Sequence, residues 1–285
     1  MSEREKSPNR ALEEQVGRSG FPFQLAVEEA VRLSAREHGW EVAGTELPWS
    51  RGFIDLVLQR GRLLLVIECK RVEDGTWIFL VRRGKQPTER FRMPWWNGRA
   101  PDLPPTERQQ SVTKVFCDEL FFDPPSPESE YCSVPKKKGP ITSFEPLAQE
   151  IVSAAQDMAA REDVAHRNDA EFYIPAIVTN ARLVTCELDP STVSLDSGQL
   201  SAASWSDQAV VRFRKTLTLS RSNDYNSDPV DRATWQTDRT RTVLVVSAAA
   251  LQTVLNGLRK FRYDDFNQAP PAWSNPRLLV RGKGA

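Results

Sequence analysis

The chain has 285 residues, 40% hydrophobic and 27% charged, the balance of an ordinary globular protein with room for one large domain or a core with an added lobe. Its 38 acidic and 38 basic residues cancel, so overall charge argues for neither a nucleic-acid nor a membrane partner. No apolar run is long enough to span a bilayer, none follows the charged start, and Cys69, Cys117, Cys132 and Cys186 form no C-x-x-C pair; membrane, secretory, disulfide-framework and zinc-site classes give way to a cytoplasmic protein with reduced thiols.

Residues 1–20 are polar and charged and read as a mobile tail. A helix is predicted over 22–38, with Pro22 in its first turn and Gly39 closing it. Residues 40–47 read as a strand. Two more follow at 53–58 and 63–70, joined by a tight turn over 59–62 in which Gly61 is free to take positive φ. From 84 to 140 prolines cluster, and Trp95-Trp96 and Lys136-Lys137-Lys138 stand out. This predicts an insertion of long loops with one helix near 109–120. A helix over 144–161, strands at 173–179, 183–188, 210–219 and 242–246, and a helix over 247–262 complete the reading. The expected organisation is a core over 21–190, interrupted at 84–140, followed by a C-terminal extension or lobe over 191–285.

The informative segment is the hairpin. With Arg60 and Gly61 as the turn residues, Asp55 falls opposite Val66. Directly opposed residues share a face, as do residues two apart on one strand. Asp55, Glu68 and Lys70 therefore project from one face. Asp55 and Glu68 become diagonal neighbours, roughly 7–8 Å apart at the backbone, close enough to converge on one divalent cation. Phe53, Val57, Leu64 and Val66 share that face, while Ile54, Leu56, Leu58, Leu65, Ile67 and Cys69 occupy the other. Strands apolar on both faces are covered on both sides. A carboxylate buried there without a partner costs several kcal/mol or holds its proton. Two arrangements relieve it: a bound cation such as Mg2+, for which one or two carboxylates suffice, or an ion pair of Lys70 with Glu68 or Asp55.

A helix, a strand and then a hairpin bearing Asp55 and Glu68-Cys69-Lys70 resembles the PD-(D/E)xK nuclease superfamily. The likeness covers about residues 21–70, with weaker agreement over 144–188, and Ile54 stands where the name-giving proline would be. It implies an α/β fold with a restriction-endonuclease-like core, a mixed central sheet flanked by helices, here carrying a Pro-rich insertion and a C-terminal extension. It also implies a metal-dependent nuclease, an endonuclease using Mg2+ (or Mn2+) on phosphodiester bonds, in DNA first, in restriction, anti-phage defence or repair. By resemblance Asp55 and Glu68 are catalytic metal ligands and the backbone carbonyl of Cys69 is a further ligand. Lys70 positions or activates the water and offsets negative charge. The Cys69 side chain, on the other face, reads as a small core hydrophobe. Many members add a glutamate from the first helix. At about 100° per residue, Glu28 lies at the edge of the stripe formed by Val27, Val31, Ser34 and His38, with Glu29 nearly opposite, so Glu28 is the expected catalytic residue.

Other features are weighed beside this core. Gln156 could face the site or solvent. Trp95-Trp96 could stack on bases or pin a loop, and Lys136-Lys137-Lys138 could touch phosphates or be a solvated run. From Trp205 onward there are 13 Lys/Arg against 7 Asp/Glu, the clearest hint of where a phosphate backbone would lie. Asp224-x-Asn226-x-Asp228 lacks the glycine and closing glutamate of a calcium loop. His38 reads as a helix C-terminal residue favoured by the dipole. The implied partner is nucleic acid, with no membrane. A homodimer would let one kind of site cut both strands, and a defence-system partner protein is the other association implied. Two other readings share the same core: a catalytically inactive nuclease-like binding module, and an RNA-cleaving enzyme.

Overall fold

The computed structural model describes residues 9–61, 63–73, 75–93, 95–97, 118–134, 142–163, 171–217 and 240–258. Helices α1 (Arg10–Arg18) and α2 (Phe21–His38) lead into three strands, β1 (Glu41–Trp49), β2 (Gly52–Arg60) and β3 (Leu63–Lys70). Seven strands follow: β4 (Thr76–Arg82), β5 (Thr88–Met93), β6 (Trp95–Asn97), β7 (Asp118–Ser126), β8 (Glu128–Ser129), β9 (Tyr131–Val134) and β10 (Thr142–Ser143). Helix α3 (Glu145–Asp163) then precedes β11 (Glu171–Thr179), β12 (Arg182–Leu188), β13 (Ala203–Gln208), β14 (Val210–Thr216) and β15 (Thr240–Ser247), and α4 (Leu251–Gly257) comes last.

Eight strands make one mixed sheet, in the order β1-β2-β3-β11-β15-β14-β8, with β6 also paired to β11. β1, β2 and β3 are antiparallel, whereas β11 runs parallel to both β3 and β15. A second sheet, β10-β9-β4-β12-β13, and a two-stranded ribbon, β5-β7, complete the strands. Against one face of the main sheet, Val27 and Val31 of α2 and Leu251, Val254 and Leu255 of α4 pack on Leu56, Leu58, Leu65 and Ile67. Against the other, Ala148, Ile151, Val152 and Ala155 of α3 pack with Val57, Leu64, Val66 and Ile177. Phe144, at the start of α3, joins the two sheets, its ring meeting Trp77, Phe79 and Phe213 edge-on with centroids 5.2, 5.9 and 4.9 Å away. Cover on both sides is why β2 and β3 are apolar on both faces. Each fully buried Leu or Val among them stabilises the fold by about 1.5–3 kcal/mol.

The mixed sheet flanked by helices agrees with the expected α/β class. Helix α2 closes at Gly39, which has φ 69 and donates its N–H to the Ala35 carbonyl. His38 departs from expectation. It is 1% exposed, and its Nδ1 accepts the Trp40 N–H at 3.0 Å. An accepting ring nitrogen carries no proton, so His38 closes the helix as a hydrogen-bond acceptor rather than as a cation on the dipole. Residues 10–18, expected within a mobile tail, are helical.

The region 84–140, expected to be loops, carries β5 to β9. The helix expected near 109–120 falls mostly outside the described residues, and 118–120 begin β7. Among the described residues of 191–285, β14 and β15 lie inside the main sheet and β13 belongs to the second. Strand pairing across the chain covers the open edge of β11, and no local pattern announces which distant segment will do so.

Candidate active site

The hairpin register differs from expectation by two residues. Arg60 pairs with Leu63 and Leu56 with Ile67, and Gly61, in the turn, has φ 57. Asp55 is thereby brought level with Glu68 instead of Val66. A slip of two keeps every side chain on its face, because the side-chain period is two. Val57 and Val66, two residues from Asp55 and Glu68, pack beneath α3. Glu68 and Lys70, two and four residues beyond Val66 on a strand paired with β11 as far as Lys70, belong to that side, and the charges of Lys70 and Glu150 act on Asp55.

Asp55 stands where both ladders of β2 fail. Toward β1, the pairs Thr45–Leu56 and Leu47–Ile54 bracket a rung between Glu46 and Asp55 that does not form. Toward β3, pairing ends at Leu56–Ile67. No other residue of β2 is unpaired on both sides. The Asp55 carboxylate instead accepts the Cys69 N–H at 2.7 Å, and the Asp55 carbonyl accepts Nε2 of Gln24 at 3.1 Å. Beyond this break Ile54 joins the cluster of Val57 and Val66, not that of Leu56 and Leu58 as alternation predicts. A strand released from its neighbour can turn, and the pleat is no longer continuous there. The N–H and C=O of one strand residue point to the same side, so the Cys69 carbonyl, like its N–H, faces the gap that β2 leaves. Glu68 to Lys70 form the carboxyl end of β3, beside the ends of parallel β11 and β15. That edge is where open α/β sheets bind ligands.

The electrostatics are adverse. Burial, then the charges of Asp55, Glu150 and Glu46, push Glu68 up to about 7, against the opposing pull of Lys70. Burial also raises Asp55, reinforced by Glu46 and Glu150 and offset in part by the Cys69 N–H and Lys70. Asp55 and Glu68 thus feel the negative charges of Glu46 and Glu150 against the opposing pull of a single ammonium, Lys70. Among the described residues Lys70 makes no salt bridge with Asp55 or Glu68, so the ion pair that would have made this a purely structural cluster is not formed. Burial pushes the Cys69 thiol up. Its side chain packs against the cluster of Leu56 and Ile67, as a core hydrophobe.

Glu28 does not join the group. Its carboxylate accepts from Nη2 of Arg32 at 2.7 Å on its own helix, and Glu29 is exposed. The α2 residue that reaches the site is Gln24, one turn earlier, which donates to both Asp55 and Glu46. Reading only the glutamates of this helix hid it, although its spacing from Val27 and Val31 puts it on the buried stripe. Glu46 and Glu150 were also missed. Glu46 sits at φ 50, the one non-glycine positive φ among the described residues, a conformation costing about 1–3 kcal/mol that nothing in the sequence marks.

Gln156 is half-buried on α3, and among the described residues no hydrogen bond ties it to the cluster. Trp95 and Trp96 pair with Tyr173 and Phe172 through the backbone. Lys136, Lys137 and Lys138 and the segment 224–228 lie outside the described residues. In the basic C-terminal third, Arg212 donates to the Ser126 carbonyl, Arg214 meets Glu128 at 3.3 Å and Lys215 pairs with Glu145. Arg212 is buried, and Arg214 and Lys215 are half-buried and paired with acids of the same chain. A separate cavity of about 390 Å³, lined by Arg82, Arg83, Asp189, Pro190 and Ser191, includes none of the candidate residues.

The donor set has the chemistry a hard divalent cation needs. Two carboxylates raised by burial and mutual repulsion would regain their charge beside one, and a peptide carbonyl faces the same gap. Among the described residues no group of three or more His, Cys, Asp or Glu side chains is arranged to hold a metal, so a cation here would rest on two carboxylates and other oxygens. No described helix is long and apolar enough to cross a membrane. No protein-family model, no curated protein and no solved structure matches the chain.

Proposed function

We propose that this chain is a divalent-metal-dependent phosphodiesterase of the PD-(D/E)xK kind, cutting nucleic acid and DNA in the first place, in restriction, anti-phage defence or repair. The observation that carries the reading is Asp55. It is released from both ladders, holds its carboxylate on the amide that follows Glu68, and lies beside a second carboxylate raised to about 7. A buried acid surrounded by acids is a costly ground state that a bound cation relieves. With β4 to β10 set aside as an insertion, the element order α2, β1, β2–β3, α3, β11 also supports the reading, since the resemblance expects a helix, a strand, the hairpin, a helix and a strand.

Asp55 and Glu68 would hold Mg2+ or Mn2+, with the Cys69 carbonyl as a further oxygen. When bound, the ion acidifies water and stabilises negative charge on phosphate oxygens. Lys70, exposed at the end of β3, is free of both carboxylates and can orient the attacking water and offset charge on the phosphate. The Cys69 N–H holds the Asp55 carboxylate in place.

The test is cleavage of plasmid, single-stranded DNA and RNA by the purified chain with Mg2+, Mn2+ or EDTA. Metal-dependent cutting is expected. Lys70→Ala should reduce it by about 10²–10⁴-fold while leaving nucleic-acid affinity nearly unchanged, because one ammonium adds little to phosphate binding. If the parent cuts none of the three substrates with either metal, the reading fails. One observation favours a second reading, a nuclease-like module that binds nucleic acid without cutting it: the lack of a three-ligand metal group among the described residues. Retained binding with no metal-dependent cleavage would establish that alternative.

A further inference from the structure

Gln24 lies three residues before Val27 and seven before Val31, on the buried stripe of α2, which brings its side chain against β1 and β2. Its Nε2 donates to Oε1 of Glu46 at 2.6 Å and to the Asp55 carbonyl at 3.1 Å. A carboxylate and a carbonyl can only accept, so only the two protons of the amide nitrogen satisfy both. In a regular β1–β2 ladder the Asp55 carbonyl would accept from the backbone of Glu46. That rung is missing, and the positive φ of Glu46 turns its peptide out of the ladder.

We propose that Gln24 is a positioning residue for the Asp55 carboxylate: by bridging Glu46 and the Asp55 carbonyl it replaces the missing rung and fixes the main chain from which that carboxylate reaches the Cys69 N–H. Its use in catalysis rests on the phosphodiesterase reading. With the rung formed, Asp55 would be pinned in the pleat. With neither rung nor bridge, its backbone would be held on neither side and its carboxylate would lose the Cys69 amide. Gln24 supplies the third state, in which Asp55 is out of the ladder and still held.

The experiment combines amide hydrogen exchange by NMR with Mn2+ titration calorimetry on the full chain, comparing the parent, Gln24→Met, Gln24→Lys and Glu29→Gln. Met keeps the length of the side chain without a donor, whereas Lys restores protons for both acceptors. Gln24→Met should speed exchange at the Cys69 amide by about tenfold, the effect of losing one hydrogen bond of ordinary strength. Ile67, two residues earlier on the same side of β3 and still opposite Leu56, should keep its protection. Gln24→Lys should restore slow exchange at Cys69, and Glu29→Gln should match the parent. Mn2+ affinity should fall about 10–100-fold in Gln24→Met, the usual loss when a group that orients a metal ligand is removed. Unchanged Cys69 exchange in Gln24→Met, or equal acceleration at Ile67, overturns the positioning role. A parent that binds no Mn2+ overturns the metal-dependent reading instead, and the exchange result still decides whether Gln24 holds Asp55.

Discussion

Glu68, near the β1 edge of the main sheet, and Glu128, on its far edge strand β8, are both largely withdrawn from water, and their surroundings treat them in opposite ways. Burial pushes Glu128 up, but the hydrogen bond from Lys85 at 2.9 Å and the charges of Arg214, Lys85 and Arg212 outweigh it and hold the carboxyl below its ordinary range. Glu68 meets Asp55, Glu150 and Glu46, with Lys70 alone in opposition, and is raised to about 7. A carboxylate that serves the fold gathers cations; one that gathers other acids weakens the fold until something positive arrives. The same contrast runs along the hairpin. At its turn, Arg60 donates to the carbonyls of His38, Leu255 and Leu258 and lies over the Trp40 ring. At its open end, the charges repel.

The comparison breaks first in stability. Glu128→Ala should cost about 3 kcal/mol in urea unfolding, because it removes the carboxylate that Lys85 and Arg214 pair with at 2.9 and 3.3 Å and whose charge faces buried Arg212; the value sits at the low end of the range for a broken buried pair since Lys85 and Arg214 keep some solvent. In EDTA, Glu68→Gln should cost nothing or stabilise. Equal losses in the two variants would mean that Glu68 is structural after all.

A somewhat smaller effect separates the two acids by pH. Glu68 holds its proton up to about 7 in the folded chain against an ordinary value of 4.5. Between those limits the folded state binds more protons than the unfolded state. Its contribution to stability therefore falls as pH rises from 4.5 to 7, by about 2–3 kcal/mol. Asp55, also raised, adds a fall of the same sign. Glu128, lowered, contributes the reverse: stability present above 4.5 and lost as pH falls through its folded value. Unfolding in EDTA across pH 4–8 should show a slope that Glu68→Gln reduces and Glu128→Gln does not, and a parental slope untouched by Glu68→Gln would refute the assignment.

Mg2+ at ten times its dissociation constant should then stabilise the parent at pH 7 by about 1.4 kcal/mol, and Asp55→Asn much less. Melting curves with and without Mg2+ measure this, and an equal shift in both proteins would place the ion elsewhere. The smallest effect sharpens the role of Asp55 itself. Asp55→Ala should be less stable in EDTA than Asp55→Asn by about 1 kcal/mol, since asparagine still offers an oxygen to the Cys69 N–H and alanine does not. Identical unfolding midpoints would mean that this hydrogen bond carries no weight.

Local pattern alone determines much of this molecule. The helix ending at His38, the hairpin strands, the helix after residue 144 and the strands near 173–188 follow from apolar periodicity and from Gly39 and Gly61, because these depend on neighbours a few residues apart. Even the common face of Glu68 and Lys70 is indifferent to the two-residue error in register, since parity is all that face-sharing requires, whereas the break at Asp55 takes that residue out of the parity argument. Parity is also why the sequence could not choose between the registers: both bury the same residues, and only the geometry of the turn, with Gly61 at φ 57, separates them. The rest is tertiary. Neither the joining of β14 and β15 to the main sheet nor the strands among the prolines of 84–140 is a local property, because both depend on pairing between distant segments. The break in both ladders at Asp55, the strained backbone of Glu46, the bridge from Gln24 and the charge of Glu150 come from four separate elements, β2, β1, α2 and α3. Their effect on Asp55 and Glu68 exists only where the packed sheet brings them within reach of one another and excludes the water that would screen them.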